Sequence, residues 1–88
     1  MPEVTVYTPP FCPYCVRAKR LLEKKGVPFT DIGVMGKPGL RREMEARSGG
    51  YTVPQIFIDG EHVGGCDELY QLEIENKLDA LLGLKTGS

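Results

Sequence analysis

The start of the chain constrains the fold most strongly, because strand and helix patterns alternate there. Residues 3–7, EVTVY, alternate and are rich in β-branched side chains, which predicts a strand. A helix is predicted from Cys12, since Pro13 suits a first helical position and Gly26 suits the position just after a helix end. Residues 28–32, PFTDI, predict a second strand. Two strands joined in this way pair in parallel through a right-handed crossover.

The second half of the chain predicts a hairpin and further helices. Residues 55–58, QIFI, form an apolar run, Asp59-Gly60 is a strong turn signal, and residues 61–64, EHVG, supply the return strand. Helices are predicted over residues 38–48, from a cap at Asp67 through Leu72, and near residues 75–82. The order β-α-β-α-β-β-α predicts an α/β fold with a four-stranded mixed sheet and helices on both faces. The predicted core residues are Leu21, Leu22, Ile56, Phe57, Ile58, Leu69, Leu72, Leu78 and Leu81.

Length and composition indicate one soluble domain. The chain has 88 residues, of which 41% are hydrophobic and 26% are charged. We expect the domain to span residues 1–83 and residues 84–88 to form a flexible tail. No apolar stretch approaches the ~18 residues of a membrane span, and the N-terminus lacks a secretory signal pattern, so the cytosol is the expected compartment. A monomer is also expected. A pI near 5.8 disfavours nucleic-acid binding.

The three cysteines carry the chemistry. Their odd number argues against a pure disulfide framework, and Cys12-x-x-Cys15 alone leaves open a redox couple, half of a metal site or a structural disulfide. Cys12 falls at the predicted helix N-cap, where free backbone N–H groups and the helix dipole favour a thiolate. Cys15 lies one turn deeper and is better shielded. This asymmetry favours Cys12 as nucleophile and Cys15 as resolving thiol, whereas Cys66 is expected to be a spectator.

Three motifs together resemble the glutaredoxin family. They are CPYC at residues 12–15, TVPQIFIDG at residues 52–60 and GGCDEL at residues 64–69, and they are similar to those of small bacterial dithiol glutaredoxins with a third cysteine. The resemblance covers about residues 3–83. It implies a thioredoxin fold, glutathione as the reducing co-substrate, no metal, and reduction of protein disulfides and protein–glutathione mixed disulfides.

The resemblance also implies where glutathione binds. A cis bond between Val53 and Pro54 is expected, with the Val53 backbone pairing with the cysteinyl part of glutathione as an added strand does. Gly65 permits a close backbone approach. The N–H groups of Cys66 and Asp67 open a helix and can seat the γ-glutamyl carboxylate, while the Asp67 side chain can accept from the α-amino group. The implied glutathione-binding residues are Tyr14, Thr52, Val53, Pro54, Gly65, Cys66 and Asp67.

The sequence departs from the family pattern at the expected contacts of the glycine carboxylate. Glutaredoxins commonly carry a lysine three residues before the first cysteine and a basic residue just before T-V-P. Pro9 and Tyr51 occupy those places here. We expect Arg47, Lys37 or the Tyr51 hydroxyl to substitute, or glutathione to bind more weakly.

Two alternatives to a glutaredoxin function are open at this point. One is a redoxin that depends on thioredoxin reductase, although true thioredoxins usually carry a Trp before the first cysteine and this chain has none. The other is a zinc or iron–sulfur module, since His62 and the three cysteines supply a Cys₃His ligand set on paper. His62 is instead expected to be a surface residue of the hairpin.

Overall fold

The computed structural model describes residues 3–9, 12–50 and 52–84. Strands and helices follow one another in the predicted order β-α-β-α-β-β-α, and a short further helix follows at the place where the last helix was expected. The strands are β1 (Val4–Thr8), β2 (Thr30–Gly33), β3 (Gln55–Ile58) and β4 (Glu61–Gly64). The helices are α1 (Pro13–Lys24), α2 (Pro38–Ser48), α3 (Cys66–Ile74) and α4 (Leu78–Leu81).

The strands form one mixed sheet in the order β2-β1-β3-β4. β1 pairs in parallel with β2, and β3 runs antiparallel to both β1 and β4. Thr8 on β1 also donates a side-chain hydrogen bond to Asp31 on β2. Asp59 and Gly60 have φ angles of 55° and 81°, as a tight type I′ hairpin turn requires. The predicted mixed sheet and hairpin are therefore confirmed.

Helices cover both faces of the sheet, because alternate strand residues point to opposite sides. On one face the side chains of β1 and β3, such as Val6 and Ile56, pack with α1, α3 and α4. On the other face Tyr7 and Phe57 pack with Met44 of α2. The two cores leave the N-terminal end of α1 beside the start of β3, and this is where the motif residues meet.

Two lysines tie α1 to its neighbours. Lys19 Nζ lies 2.8 Å from the Asp31 carboxylate on β2. Lys25, which caps the C-terminus of α1, lies 2.7 Å from both Glu73 and Asp79. Its side chain is 16% exposed, so its pairs are shielded more than ordinary surface ion pairs. They fasten the C-terminal end of α1 to α3 and to α4.

The structure corrects the sequence predictions at the C-terminal helices. Gly65, in an extended conformation, is the N-cap of α3, so Asp67 occupies the second helical position and is not the cap. The helix expected near residues 75–82 is shorter because Asn76 adopts a left-handed φ of 59°. Since α4 is only one turn long, it rests on the core through Leu78 and Leu82, and Leu81 is 40% exposed.

The remaining core predictions hold, with Leu72 partly buried. Leu84, the first residue of the predicted tail, also packs against the core, and residues 85–88 lie outside the described residues. None of the helices in the described ranges is long and apolar enough to cross a membrane.

Candidate active site

Cys12 and Cys15 stand at the N-terminal end of α1. Cys12 is the N-cap, with extended backbone angles, and Pro13 is the first helical residue. The Cys15 N–H donates to the Cys12 Sγ at 3.4 Å, which is the usual bond between an N-cap side chain and the third helical residue. The predicted cap and its partner are therefore confirmed. A backbone N–H donor and the helix dipole both stabilise an anion on this sulfur.

The two thiols have different environments. Cys12 is partly exposed, whereas Cys15 is 1% exposed, and both are free thiols. Burial raises the pKa of Cys15 strongly, and the hydrogen bond to Cys12 and the negative charge on Cys12 raise it further. Cys15 is thus held as a neutral thiol beside an accessible sulfur, as expected for a resolving thiol beside a nucleophile.

A cavity of about 370 Å³ lies against the first turn of α1, with Tyr14, the residue between the two cysteines next to Cys15, in its lining. The structure places around it every residue that the sequence predicted to bind glutathione, together with Glu68, which the sequence reasoning missed. Tyr14, which is 56% exposed, forms the border toward α1. The lining residues are Tyr14, Thr52, Val53, Pro54, Gly65, Cys66, Asp67 and Glu68.

Three backbone features shape the cavity wall. The Val53–Pro54 peptide bond is cis, as predicted. A Cβ added at Gly65 would lie 3.3 Å from the Pro54 carbonyl oxygen, so the two segments approach as closely as expected from a glycine. α3 begins at Cys66. The first N–H groups of a helix have no partner within the helix, so those of Cys66 and Asp67 offer donors at this wall.

Glu68 fixes the entry to α3. Its Oε1 accepts from the Gly65 N–H at 2.7 Å, which forms the side-chain half of a capping box. Gly64, the residue immediately before the N-cap Gly65, adopts a φ of 122°. The glutamate three residues after the N-cap is the usual signal for this arrangement, but it is hidden in the sequence as long as Asp67 is taken for the cap.

A buried amide holds the Thr52 side of the cavity. Gln55 Nε2 donates to the Thr52 carbonyl oxygen at 2.9 Å and lies 3.1 Å from the Thr52 hydroxyl. On its other side, Gln55 Oε1 lies 2.7 Å from His62 Nε2, and the His62 ring packs on Phe57. His62 is a surface residue of β4, as predicted, but its contact with Gln55 has no signature in the sequence.

The residues expected to replace the missing basic positions lie away from this lining. Arg47 donates from Nη1 to the Tyr7 hydroxyl at 2.7 Å and stacks 4.2 Å from the Phe57 ring centre. Lys37 is the N-cap of α2. Neither side chain lines the cavity among the described residues, and Tyr51 lies outside them. The group that binds the glycine carboxylate of glutathione therefore stays a prediction.

The Cys₃His ligand set does not come together. Within residues 3–9, 12–50 and 52–84, no three His, Cys, Asp or Glu side chains converge as metal ligands would. His62 Nε2 faces Gln55 instead. The described residues therefore offer no site for a structural zinc ion.

Comparison with known proteins decides the family. A family model of glutaredoxins matches residues 4–63. The chain belongs to the glutaredoxin family. It is 57% identical to a glutaredoxin from Pseudomonas aeruginosa, over 93% of this chain and 98% of that one. It is 54% identical to glutaredoxin 3 from Escherichia coli, over 93% and 99% of the two chains.

A solved structure agrees with this family assignment. The buckwheat glutaredoxin–glutathione complex superposes with a TM-score of 0.86 at 28% identity, covering 93% of this chain and 77% of that one. The thioredoxin fold implied by the motifs is confirmed. Membership of the glutaredoxin family makes the protein a thiol–disulfide oxidoreductase, with Cys12 and Cys15 close together at the head of α1.

Proposed function

We propose that the protein is a glutathione-dependent oxidoreductase that reduces protein disulfides and protein–glutathione mixed disulfides. The observation that carries the proposal is the cavity at the first turn of α1, since all the residues expected to bind glutathione line it. The similar fold of a buckwheat glutaredoxin whose structure contains glutathione supports the same ligand. We further propose a cytoplasmic location, because the cytosol keeps thiols reduced, and a monomeric state.

Glutathione binds in this proposal through the backbone more than through side chains. The Val53 N–H and C=O pair with the cysteinyl residue of glutathione, as in strand addition. The γ-glutamyl carboxylate accepts from the N–H groups of Cys66 and Asp67, where the helix dipole favours an anion. The Asp67 carboxylate accepts from the α-amino group. Gly65 keeps this wall close to Pro54, so both anchors are reached by one extended ligand.

The monothiol route needs only Cys12. Its thiolate attacks the glutathione sulfur of a protein–glutathione disulfide, so a new S–S bond forms on Cys12 while the old one breaks and the protein thiolate leaves and takes up a proton. A second glutathione thiolate then attacks the glutathione sulfur held on Cys12. Glutathione disulfide leaves, and the Cys12 thiolate is restored at the N-cap, where the Cys15 N–H stabilises it.

The dithiol route adds Cys15. Cys12 attacks a protein disulfide and forms a mixed disulfide, and this step removes the negative charge from Cys12. Two of the causes that raise the pKa of Cys15, its hydrogen bond to Cys12 and the charge on Cys12, disappear with that charge. Cys15 therefore ionises more easily once Cys12 has reacted, attacks the Cys12 sulfur and releases the reduced protein. Two glutathiones reduce the resulting Cys12–Cys15 disulfide.

Serine variants separate the two routes. In a coupled assay with glutathione and glutathione reductase, Cys12→Ser should lose all activity. Cys15→Ser should keep activity on a glutathionylated peptide and lose activity on an intramolecular protein disulfide. A Cys15→Ser variant that still reduces the protein disulfide would refute the resolving role.

The reducing system is tested in the same assay. We expect turnover with glutathione and glutathione reductase, and background rates when thioredoxin reductase with NADPH replaces them. Turnover with thioredoxin reductase alone would contradict glutathione dependence and favour the redoxin alternative.

A further inference from the structure

The link from β4 to the cavity wall runs through Gln55. Gln55 opens β3 and is 4% exposed, so its amide has little access to water and needs protein partners. It contacts the Thr52 carbonyl oxygen and hydroxyl on one side and His62 on the other. The three residues, His62, Gln55 and Thr52, are called the positioning chain below. It joins the exposed face of β4 to the segment that precedes the cis bond.

The partners fix the direction of every bond in the positioning chain. The Thr52 carbonyl oxygen can only accept, so the Gln55 NH₂ group must face it. The Gln55 carbonyl oxygen therefore faces His62 and must receive a hydrogen. His62 Nε2 is the donor in that 2.7 Å contact. A histidine that carries a hydrogen on Nε2 satisfies this bond.

The pairing of His62 with Phe57 puts the His62 ring on the same face of the sheet as Gln55, two residues along β3. Ile56 pairs with Gly64 and Phe57 pairs with His62, so β4 contains one extra residue between these pairs, at Val63. Such a bulge changes the direction of neighbouring side chains and is common near active sites. The His62 ring stacks on Phe57 with 5.1 Å between ring centres. Phe57 thus holds the face of the His62 ring, and Gln55 holds its Nε2 atom.

We propose that His62 and Gln55 are positioning residues that hold Thr52, and with it the Val53–Pro54 wall, in the conformation that binds the glutathionyl group. The inference rests on the proposed function of this cavity. Neither side chain lies among the residues that line the cavity around Val53 and Gly65. They act through Thr52, which does line it, so the proposal places their effect on binding of the glutathionyl substrate and not on the reaction at the Cys12 sulfur.

Two variants of His62 separate the hydrogen bond from the ring. His62→Phe keeps an aromatic ring on Phe57 but cannot donate, whereas His62→Gln can place an amide N–H near the position of Nε2. For a glutathionylated peptide we expect His62→Phe to raise KM about three- to tenfold, the size of one lost hydrogen bond, with kcat and the iodoacetamide reactivity of Cys12 unchanged. His62→Gln should recover most of the wild-type KM.

Matched controls make the kinetic result specific. Glu61→Gln, an exposed substitution on the same strand, should leave both constants unchanged. The positioning role is refuted if His62→Phe keeps the wild-type KM, if His62→Gln is impaired as much as His62→Phe, or if the loss falls on kcat alone. His62 lies on the exposed face of β4, so the variants should fold, and thermal unfolding checks this.

A second readout does not depend on glutathione. In ¹⁵N NMR spectra of the reduced protein, the Gln55 side-chain amide and the Thr52 backbone amide should shift in His62→Phe and return toward wild-type positions in His62→Gln. Unchanged resonances in His62→Phe would overturn the inference even if the enzyme turns over the peptide. Absence of turnover in the wild-type protein would instead contradict the proposed function, and the NMR result would still decide the positioning role.

Discussion

Replacing Gly64 by alanine tests the geometry that joins β4 to α3. Gly64 has a φ of 122°, a conformation that alanine adopts only with strain of about 1–3 kcal/mol. A Cβ at this position would lie 2.7 Å from Glu68 Oε1 and 2.8 Å from Glu68 Cγ. The Glu68 side chain would have to move, and it would then give up the Gly65 N–H.

The cost of Gly64→Ala is the sum of these two effects. Loss of the Gly65–Glu68 hydrogen bond adds about 1 kcal/mol, so the free energy of unfolding should fall by about 2–4 kcal/mol. For a domain of this size that corresponds to a decrease in Tm of about 8–30 °C. Gly65 lines the cavity, so losing the bond from its N–H to Glu68 should also disturb the cavity wall. KM for a glutathionylated substrate should therefore rise as well.

Four further variants make this prediction refutable by urea unfolding. Gly36→Ala has a φ of 70° but no atom within 4 Å of the added Cβ, so it should cost only the strain of about 1–2 kcal/mol. Gly39→Ala, inside α2 and equally open, should stabilise by about 0.5 kcal/mol. In a double-mutant cycle, Gly64→Ala with Glu68→Ala should cost about 1 kcal/mol less than the sum of the single variants. If Gly64→Ala costs no more than Gly36→Ala, the contact with Glu68 does not determine its effect.

The other predictions concern the cysteines and the lysine ion pairs. Iodoacetamide at neutral pH should label Cys12 roughly tenfold or more faster than Cys15, since burial and then the bond to Cys12 raise the pKa of Cys15; equal labelling in peptide mass maps would contradict this. Burial raises the pKa of Asp31, but the hydrogen bonds that Asp31 accepts from Lys19 and Thr8 outweigh burial, so the pKa of Asp31 is lowered overall. The stabilisation from the ionised Asp31 is therefore complete at pH values above the ordinary aspartate pKa of about 3.9. It is lost as pH falls through the lower pKa that Asp31 has in the folded protein. Urea midpoints measured from pH 5 to pH 2 should fall more steeply for the wild type than for Asp31→Asn, and parallel curves would refute this. Lys25→Met should lower the free energy of unfolding by about 1 kcal/mol, and the difference should shrink at high salt; a difference that salt leaves unchanged would show that packing and not charge is responsible.

Local patterns predicted the parts of the fold that depend on sequence neighbours. The N-cap at Cys12 and the left-handed turn at Asp59-Gly60 each depend on contacts within about four residues, which a motif can encode. Strand pairing followed from the topology rule for βαβ units. The second strand, expected at residues 28–32, begins two residues later at Thr30, because the edge of a sheet is set by its partner as much as by its own sequence.

The sequence predicted less well where a side chain has several possible partners. Asp67 and Gly65 both suit an N-cap, and only the extended Gly65 backbone and its bond to Glu68 decide between them. The hairpin pairs His62 with Phe57, so His62 lies on the sheet face that also carries Gln55, two residues along β3. The pairing pattern alone does not predict which neighbour the ring nitrogen contacts. The same limit applies to Leu81 and Leu82, whose burial depends on how a single helical turn docks.

The asymmetry of the two cysteines follows from the fold rather than from the C-x-x-C motif alone. A cap position leaves Cys12 partly exposed with a donor directed at its sulfur, and one helical turn buries Cys15 against the core. As long as Cys12 is an anion, its charge and hydrogen bond keep Cys15 protonated, so two thiolates do not compete. When Cys12 enters a disulfide, that restraint ends and only burial remains to oppose ionisation of Cys15. The order of the two attacks in the proposed dithiol route is therefore a consequence of which cysteine caps the helix, and exchanging the environments of the two sulfurs would reverse it.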